Sequence, residues 1–479
     1  MTGTTFSSPD IQAYFQSKRA GLEAQLAARV VAFIDATESS LDCAIYDLRH
    51  PDVLAALARL AQRGHVRLRI AYDGGGERAG GASGDPKPSG SAQAISQAGL
   101  SGVATAIHEH GRHLMHDKFL VRDGRSVWVG SANMTVGGLE LQDNNCLEIT
   151  SPALAATYTA TFEELISPAH LHEEHGPGRR NAAQAPSATP AAVPLNGARV
   201  TPYFAPAAGE SIEDALVAAI RQARRIRVLA FLIGDPGILE ALAPFASDHR
   251  FDIRGIYDPH GMQDVMRSHE AHAGRTGRSS HAAPSDSHFW FMRDPRFIAA
   301  PTHGFAPGRE QDFMHNKVII IDDRLVFTGS YNFSENAEAN DETLLTIESP
   351  ALATAYTAYF DTLAANYAQA PVREPAAVAA GGAVMSRTAT GASARADDVV
   401  TQLRREHARG GETAPHAGGR QSADHAAATH RSGRARQPRR SGLDGVITLV
   451  VALIVLTALA LAAFSALTLS GVVILPFAH

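Results

Sequence analysis

The sequence predicts an α/β protein with two repeated α-β-α domains, each a mixed sheet flanked by helices, followed by one transmembrane helix. Two observations lead to this prediction. Long segments of the first half recur in the second half in the same order, which is typical of a duplicated fold. An uncharged apolar run, 446–475, exceeds the roughly 20 residues needed to cross a bilayer. The composition, 45% hydrophobic and 19% charged, is that of a globular protein.

The repeat is clearest in segments 41–73 and 226–258, which align without a gap. Each copy has a short apolar run, a proline, a stretch with helical periodicity and a second apolar run. This order predicts a strand, a helix and a strand. Amphipathic helices are predicted before the two copies, at 22–37 and 211–224.

A second pair of matching segments follows in each half. LMHDKFLVRDGRSVWVGSANMT begins at Leu114, and FMHNKVIIIDDRLVFTGSYNFS begins at Phe313. The halves then close with similar text, SPALAATYTATF from Ser151 and SPALATAYTAYF from Ser349. Because strands alternate with helices throughout, an α/β fold is predicted for each half.

These matches define the predicted domains. The first domain covers 1–166 and the second covers 199–368, with a linker at 167–198 that is rich in alanine, proline and polar residues. Two inserts inside the domains, 74–91 and 263–312, are predicted to be loops.

The carboxyl-terminal part predicts a membrane anchor on a tether. Residues 369–443 have few large apolar side chains, so we expect a disordered tether ahead of the transmembrane segment 446–475. The arginines just before the anchor have no acid among them: Arg431, Arg434, Arg436, Arg439 and Arg440. The positive-inside rule then predicts a single-pass protein of the cell membrane whose two domains face the cytoplasm.

Each half carries one copy of the pattern His-x-Lys-x4-Asp, followed by Gly-Ser-x-Asn. The residues are His116, Lys118, Asp123, Ser131 and Asn133 in the first half, and His315, Lys317, Asp322, Ser330 and Asn332 in the second. Only four lysines occur in the chain, and two of them occupy this pattern. From the composition, roughly 0.01 copies of His-x-Lys-x4-Asp are expected by chance. The motif therefore indicates a function.

The spacing predicts where these side chains point. Histidine and lysine are two residues apart on an apolar strand, so both face the same side of the sheet. Asp123 and Asp322 belong to the candidate catalytic motif, but each lies where the chain turns, which favours a turn-stabilising role.

The residue types suit phosphodiester cleavage. Imidazole can act as a nucleophile or as a proton donor near neutral pH. The lysines, and Ser131, Asn133, Ser330 and Asn332 as substrate-binding residues, offer donors for phosphoryl oxygens. Since these groups supply the positive charge, no metal and no cofactor is expected. One active site, shared by the two halves, is predicted.

These paired motifs resemble the phospholipase D superfamily over 1–368. The resemblance implies two α/β halves meeting at a pseudo-twofold axis, with His116 as the nucleophile and His315 as the general acid and base. Family members often orient each motif histidine with an acid, and Glu342 fits that role. In the first half, counting forward from Asn133 places Asp143 at the position of Glu342, whereas counting back from Ser151 places Asn144 there. Asp143 is preferred, because a carboxylate stabilises an imidazolium.

The substrate class has several readings. The leading hypothesis is hydrolysis of phospholipid head groups by a monomeric catalytic unit, held at the membrane by its carboxyl-terminal helix. A net charge of −6 argues against a broad basic surface for nucleic acid. The alternatives are a nuclease of the same superfamily, a phosphatidyl transferase, and a repeat protein that only binds phosphate-bearing ligands.

Overall fold

The computed structural model describes residues 5–75, 90–108, 113–171, 191–248, 250–273, 286–304 and 311–368. The predicted tether at 369–443 and the predicted anchor at 446–475 lie outside these residues. Within the described ranges, no helix combines the length and apolarity that crossing a bilayer requires.

The first half contains one eight-stranded sheet. Its strands are β1 (Thr5–Ser7), β2 (Ile11–Gln16), β3 (Ser40–Ile45), β4 (Arg67–Asp73), β5 (Ala104–Ile107), β6 (Lys118–Arg122), β7 (Ser126–Gly130) and β8 (Asn144–Thr150). Its helices are α1 (Leu26–Asp35), α2 (Pro51–Ala61), α3 (Gly90–Gln97), α4 (Pro152–Leu165) and α5 (Pro168–Leu171), with a 3-10 turn at Ser101–Val103 and a π-helical turn at Gly137–Leu141.

The second half repeats this plan. Its strands are β9 (Val193–Leu195), β10 (Ala198–Ala205), β11 (Arg225–Ala230), β12 (Asp252–Tyr257), β13 (Phe297–Ala299), β14 (Lys317–Ile321), β15 (Leu325–Gly329) and β16 (Glu342–Glu348). Its helices are α6 (Gly209–Gln222), α7 (Pro236–Leu242), α8 (Pro259–Ala273), α9 (Glu335–Ala339) and α10 (Pro350–Tyr367), with 3-10 turns at Ala243–Ala246 and Asp286–Arg293.

The two sheets have the same topology. The strand order is β1-β2-β8-β7-β6-β3-β4-β5 in the first sheet and β9-β10-β16-β15-β14-β11-β12-β13 in the second. Strands β3, β4 and β5 run parallel to one another, as do β11, β12 and β13, and the other pairs are antiparallel. The prediction of two mixed sheets flanked by helices is confirmed.

Helices α4 and α10 form the layer between the sheets. Both start at the repeated Ser-Pro, where Ser151 and Ser349 cap the helix and proline occupies its first turn. Helix α4 contacts β10, and α10 contacts β1, so each helix reaches the opposite sheet. One apolar core, which includes Phe119, Tyr158 and Tyr356, is therefore shared by the two halves.

Two sequence predictions differ from the fold. The predicted linker contains β9, which pairs with β10 and so extends the second sheet upstream of residue 199. The predicted loop at 263–312 contains most of α8, the 3-10 turn and β13. Strands β9 and β13 have only three residues each and lie at the two edges of the sheet, so they show no clear periodicity. Most of the first predicted loop, residues 76–89, lies outside the described residues.

Candidate active site

The two His-x-Lys motifs meet where the halves join. His116 and His315 lie just before the central strands β6 and β14. The N–H of His116 donates to the carbonyl of Asp341 at 2.9 Å, and that of His315 donates to Asp143 at 3.0 Å. Each motif is thus hydrogen-bonded to the opposite half. Both histidines are buried, and the charge of His116 contributes to the pKa of His315.

Glu342 holds the imidazole of His116. The Nδ1 atom lies 2.7 and 2.8 Å from the two carboxyl oxygens. Asn340 donates to the same carboxyl group at 3.3 Å, and the ring of Tyr46 packs edge-on against His116 at a centroid distance of 4.7 Å. Burial raises the pKa of Glu342 to about 8, whereas Lys118 acts to lower it. Since Nδ1 faces Glu342, Nε2 is the nitrogen that can react.

Asn144 holds the imidazole of His315, so the prediction of Asp143 for this role is wrong. The Oδ1 of Asn144 lies 3.1 Å from Nδ1 of His315. The amide orientation is fixed, because its Nδ2 donates to the carbonyl of Gly138 at 2.9 Å and its Oδ1 accepts from the hydroxyl of Ser131 at 2.7 Å. The Nδ1 of His315 is therefore the donor in this contact.

A π-helical turn explains why forward counting selected the wrong residue. In Gly137–Leu141, the N–H of Gln142 donates to the carbonyl of Gly137 five residues earlier, at 2.9 Å. At the equivalent position, the second half has an α-helical turn, α9. The π turn accommodates one extra residue. Counting back from the closing Ser-Pro therefore aligns Asn144 with Glu342.

Asp143 serves the contact between the halves instead. Its backbone carbonyl accepts from His315, and its carboxyl group accepts a hydrogen bond from Tyr367 on α10. Burial raises the pKa of Asp143 to about 7. The side chain therefore contacts the central helix layer and not the imidazole.

The motif lysines are buried beside the histidines. Each Nζ donates to the backbone carbonyl of its own motif histidine at 2.6 Å. Lys118 lies 4.9 Å from the ring centre of Tyr46, and Lys317 lies 5.5 Å from that of Phe231. Burial lowers the pKa of Lys118 to about 8 and holds that of Lys317 well below its usual value. A bound phosphate would favour the charged form of both lysines.

Asp123 and Asp322 lie away from this cluster. Seven residues of mainly extended chain separate each from its histidine, roughly 20 Å at a rise of about 3.3 Å per residue. Both have left-handed backbone conformations, with φ of 54° and 51°. Their carboxylates accept hydrogen bonds from the loop before the neighbouring strand. The backbone donors are Glu38, Ser39 and Ser40 for Asp123, and Arg224 and Arg225 for Asp322. Asp123 and Asp322 therefore stabilise turns and are no longer candidates for catalysis.

The two Gly-Ser-x-Asn segments begin at the last residues of β7 and β15. The hydroxyl of Ser131 donates to Asn144, and that of Ser330 accepts from the backbone of β16 at 2.9 Å, so both serines position neighbouring protein groups. Asn133 and Asn332 are partly exposed. Each has a buried amide oxygen without a hydrogen-bond partner among the residues described. Substrate binding by these four residues stays a prediction.

Two aromatic residues of the site lie outside the sequence motifs. Tyr46 packs on His116, and Phe231 packs on His315 at a centroid distance of 5.4 Å. They follow β3 and β11, respectively. The gapless alignment of 41–73 with 226–258 places them opposite each other, which is the signal that could have identified them.

The middle residue of each His-x-Lys motif also joins the halves. Asn316 accepts a hydrogen bond from Asn145 at 2.8 Å, and Asp117 accepts one from Thr343 at 2.7 Å. All four side chains are buried. These polar contacts across the junction fix the two motifs relative to each other.

Comparison with known proteins gives a family match. Residues 30–166 and 200–364, together more than half of the chain, match the family described as "Cardiolipin synthase, PLD-like domain". No curated protein matches the sequence.

Solved structures give further likenesses. Phosphatidylserine synthase from Haemophilus influenzae Rd KW20 is 14% identical with a TM-score of 0.50, covering 75% of this chain and 87% of that one. NucT from Helicobacter pylori is 21% identical with a TM-score of 0.27, covering 35% and 97%. Nuc from Salmonella typhimurium, a phospholipase D family member, is 22% identical with a TM-score of 0.26, covering 33% and 94%. At such identity, the first structure shows a likeness of fold alone.

Proposed function

Because the chain belongs to the phospholipase D superfamily, we propose that it cleaves head-group phosphodiesters of phospholipids at one site built from both halves. One observation carries this proposal: each motif histidine is held at Nδ1 by a residue of the opposite half. Glu342 holds His116, and Asn144 holds His315. Neither half contains a histidine together with its orienting group, so one chain with both halves is a complete catalytic unit.

In the first step, the Nε2 of His116 attacks phosphorus and a P–N bond forms. The P–O bond to the head group breaks, and His315 gives its proton to the departing oxygen. The attacking imidazole becomes positively charged while its Nδ1–H is donated to Glu342. A carboxylate stabilises that charge better than an amide does, which favours His116 over His315 as the nucleophile.

In the second step, an acceptor O–H attacks the same phosphorus. His315 takes the acceptor's proton, the P–N bond breaks, and His116 returns to its starting state. Lys118 and Lys317, with Asn133 and Asn332, are proposed to bind the phosphoryl oxygens, where buried donors are most effective.

The proposed substrate is lipid, because the net charge disfavours nucleic acid and the carboxyl-terminal sequence favours a membrane. Broad nucleic-acid binding rests on phosphate contacts from a basic surface, whereas this chain has a net charge of −6. The apolar run 446–475 is proposed to hold the enzyme on the bilayer, with the arginines before it on the cytoplasmic side.

Transfer to an alcohol is a second candidate. The matched family is described as cardiolipin synthase, and one protein of similar fold is a phosphatidylserine synthase. The second step as written differs only in the acceptor, water for hydrolysis and an alcohol for transfer. The products separate the two, since hydrolysis yields phosphatidic acid and transfer yields a new phosphodiester.

A direct substrate comparison tests the proposal. Full-length protein in detergent is expected to release head groups from mixed phospholipid vesicles and to leave single-stranded DNA and RNA intact. The His315→Ala variant, purified identically, controls for contaminating activity. A nuclease would lose affinity steeply with salt, since each phosphate that it contacts contributes about −0.7 to the slope of log affinity against log salt concentration for single strands. Degradation of DNA or RNA with every phospholipid intact would refute the lipid assignment.

The Asn144→Asp substitution is expected to move the alkaline limb of the pH–kcat profile upward. Burial and the charges of Lys317, Lys118 and His116 hold the pKa of His315 well below its usual value. A carboxylate at Asn144 favours the protonated imidazole, so the general acid keeps its proton to higher pH. The limb should rise by about 1 pH unit or more.

Asn366→Asp, which adds the same charge on the exposed face of α10, serves as the control for this experiment. Its pH profile should match that of the original protein. Thermal unfolding shows whether Asn144→Asp is folded. A folded variant with an unmoved alkaline limb would contradict the role of His315 as the acid.

A further inference from the structure

A charged cluster of Arg19, His303 and Asp312 joins the two halves close to the active site. Asp312 forms an ion pair with Arg19 of the first half and accepts a hydrogen bond from Nδ1 of His303 at 2.9 Å. The backbone N–H of His303 donates to the other carboxyl oxygen at 2.8 Å. The side chain of Asp312 is 11% exposed, whereas those of Arg19 and His303 are 23% and 38% exposed. The carboxylate is therefore buried, and the two basic groups are the parts that a solute can reach.

The charged cluster adjoins the second-half side of the site. Asp312 lies three residues before His315 in the chain. The ring of Phe313 lies 5.9 Å from that of Phe231, which in turn packs on His315 at a centroid distance of 5.4 Å. The segment that carries His303 follows β13, whose carboxyl end lies at the same end of the sheet as the start of β14.

A buried carboxyl group ties the charged cluster to the motif histidine. The Oδ2 atom of Asp258 accepts from the hydroxyl of Thr302 at 2.8 Å and from the backbone N–H of Met314 at 3.1 Å. Asp258 is fully buried. Because Thr302 precedes His303 and Met314 precedes His315, these two hydrogen bonds fix the distance between the charged cluster and the reacting imidazole.

The repeated fold does not require this cluster. The chain between β2 and α1 covers 17–25, whereas the chain between β10 and α6 covers only 206–208. Arg19 lies in the longer of these two segments. At the position of Asp312, the first half has His113. The charged cluster is thus built on one side of the site only, which indicates a role that the two halves do not share.

The proposed mechanism determines which part of the substrate reaches this side. In a displacement at phosphorus, the attacking and leaving atoms lie roughly in line on opposite sides of the phosphorus. Because His116 attacks and His315 protonates the leaving oxygen, the head group lies on the side of His315. The acceptor of the second step enters from the same side, since His315 takes its proton.

On the basis of that proposed function, we propose that Arg19 and His303 bind an anionic group of the head group, either a carboxylate or a second phosphate. A guanidinium presents N–H groups in a planar fork that matches carboxylate and phosphate oxygens, and an imidazole beside it can add a further donor. Asp312 already accepts hydrogen bonds from both basic groups, so its part is to position them. The enzyme therefore selects phospholipids whose head groups carry a negative charge beyond the scissile phosphodiester.

Two matched pairs of lipids test this inference with full-length protein in mixed micelles of a non-ionic detergent. Phosphatidylserine differs from phosphatidylethanolamine by one carboxylate, and phosphatidylglycerol phosphate differs from phosphatidylglycerol by one phosphate. The value of kcat/KM should be at least about tenfold higher for the more anionic member of one pair, because hydrogen bonds between charged groups are strong. The pair that shows the preference identifies the group as a carboxylate or a phosphate. Arg19→Met should remove most of the preference.

Arg125→Met is the control, since it removes the same charge at an exposed turn between β6 and β7 and should keep both ratios. It separates a specific subsite from general attraction to charged micelles. Arg19→Lys retains the charge beside Asp312 and should lower the preference only in part, and His303→Gln should also lower it. These two variants cover the case in which Arg19→Met fails to fold.

Equal kcat/KM values within both lipid pairs would overturn the inference and leave the lipid assignment intact. So would folded Arg19→Met and His303→Gln proteins whose ratios match those of Arg125→Met. If the original protein cleaved none of the four lipids, both this inference and the proposed function would be refuted.

Discussion

Replacing either motif histidine by alanine is expected to lower kcat by at least about 10⁴-fold. His116→Ala removes the atom that bonds to phosphorus, and His315→Ala removes the proton donor for the leaving oxygen. The two losses should be similar although the motifs are equivalent in sequence, because one shared site has no spare copy of either role. Head-group release from labelled vesicles measures the rates.

His65→Ala, at an exposed position of the first half, is the control and should retain full activity. A rapid quench at neutral to alkaline pH with phosphorus-labelled substrate should trap the label on His116 only. Label on His315 would reverse the assigned roles. Full activity in either motif variant would contradict a single shared site.

Much of the fold could be predicted because the sequence contains it twice. The paired segments 41–73 and 226–258 form β3-α2-β4 and β11-α7-β12, as their periodicity predicted. The repeated Ser-Pro segments start α4 and α10, since serine caps a helix and proline suits its first turn. Each of these signals is local, and a second copy of each confirms it.

The identity of the residue on His315 could not be read from spacing. The choice between Asp143 and Asn144 depends on whether the preceding turn is α or π, which differ by one residue. That difference is made by a single backbone hydrogen bond, from Gln142 to Gly137. A preference for a carboxylate at this position favours Asp143, whereas the residue that contacts His315 is Asn144. The short strand β9 is not predicted either, because its three residues form no recognisable pattern.

Contacts across the junction were also beyond the sequence. Glu342 was identified by its spacing from Asn332, but its partner is the histidine of the other half. The charged cluster unites Asp312 with Arg19, a residue of the other half. Such pairs become visible only when the sheets and helices are assembled.

Glu342→Gln is expected to lower kcat by about 10²–10⁴-fold while the KM changes little. The glutamine amide stabilises a charged imidazole poorly, and its NH₂ can donate to Nδ1 of His116. That contact would place the proton on Nε2 and remove the lone pair that attacks phosphorus. Glu342→Asp keeps the charge and should recover part of the rate. Steady-state kinetics on a soluble phosphodiester measure kcat and KM separately.

Stability measurements distinguish this loss from unfolding. Burial raises the pKa of Glu342 to about 8. As the pH rises from the ordinary carboxyl pKa towards 8, this buried carboxyl group therefore lowers the free energy of unfolding. Glutamine removes that cost, and the unfolding midpoint at pH 7 should therefore hold or rise while activity falls. Glu348→Gln, at the partly exposed end of the same strand, should change neither quantity by much. An active Glu342→Gln protein, within about threefold of the original kcat, would show that the carboxyl group is dispensable for the nucleophile.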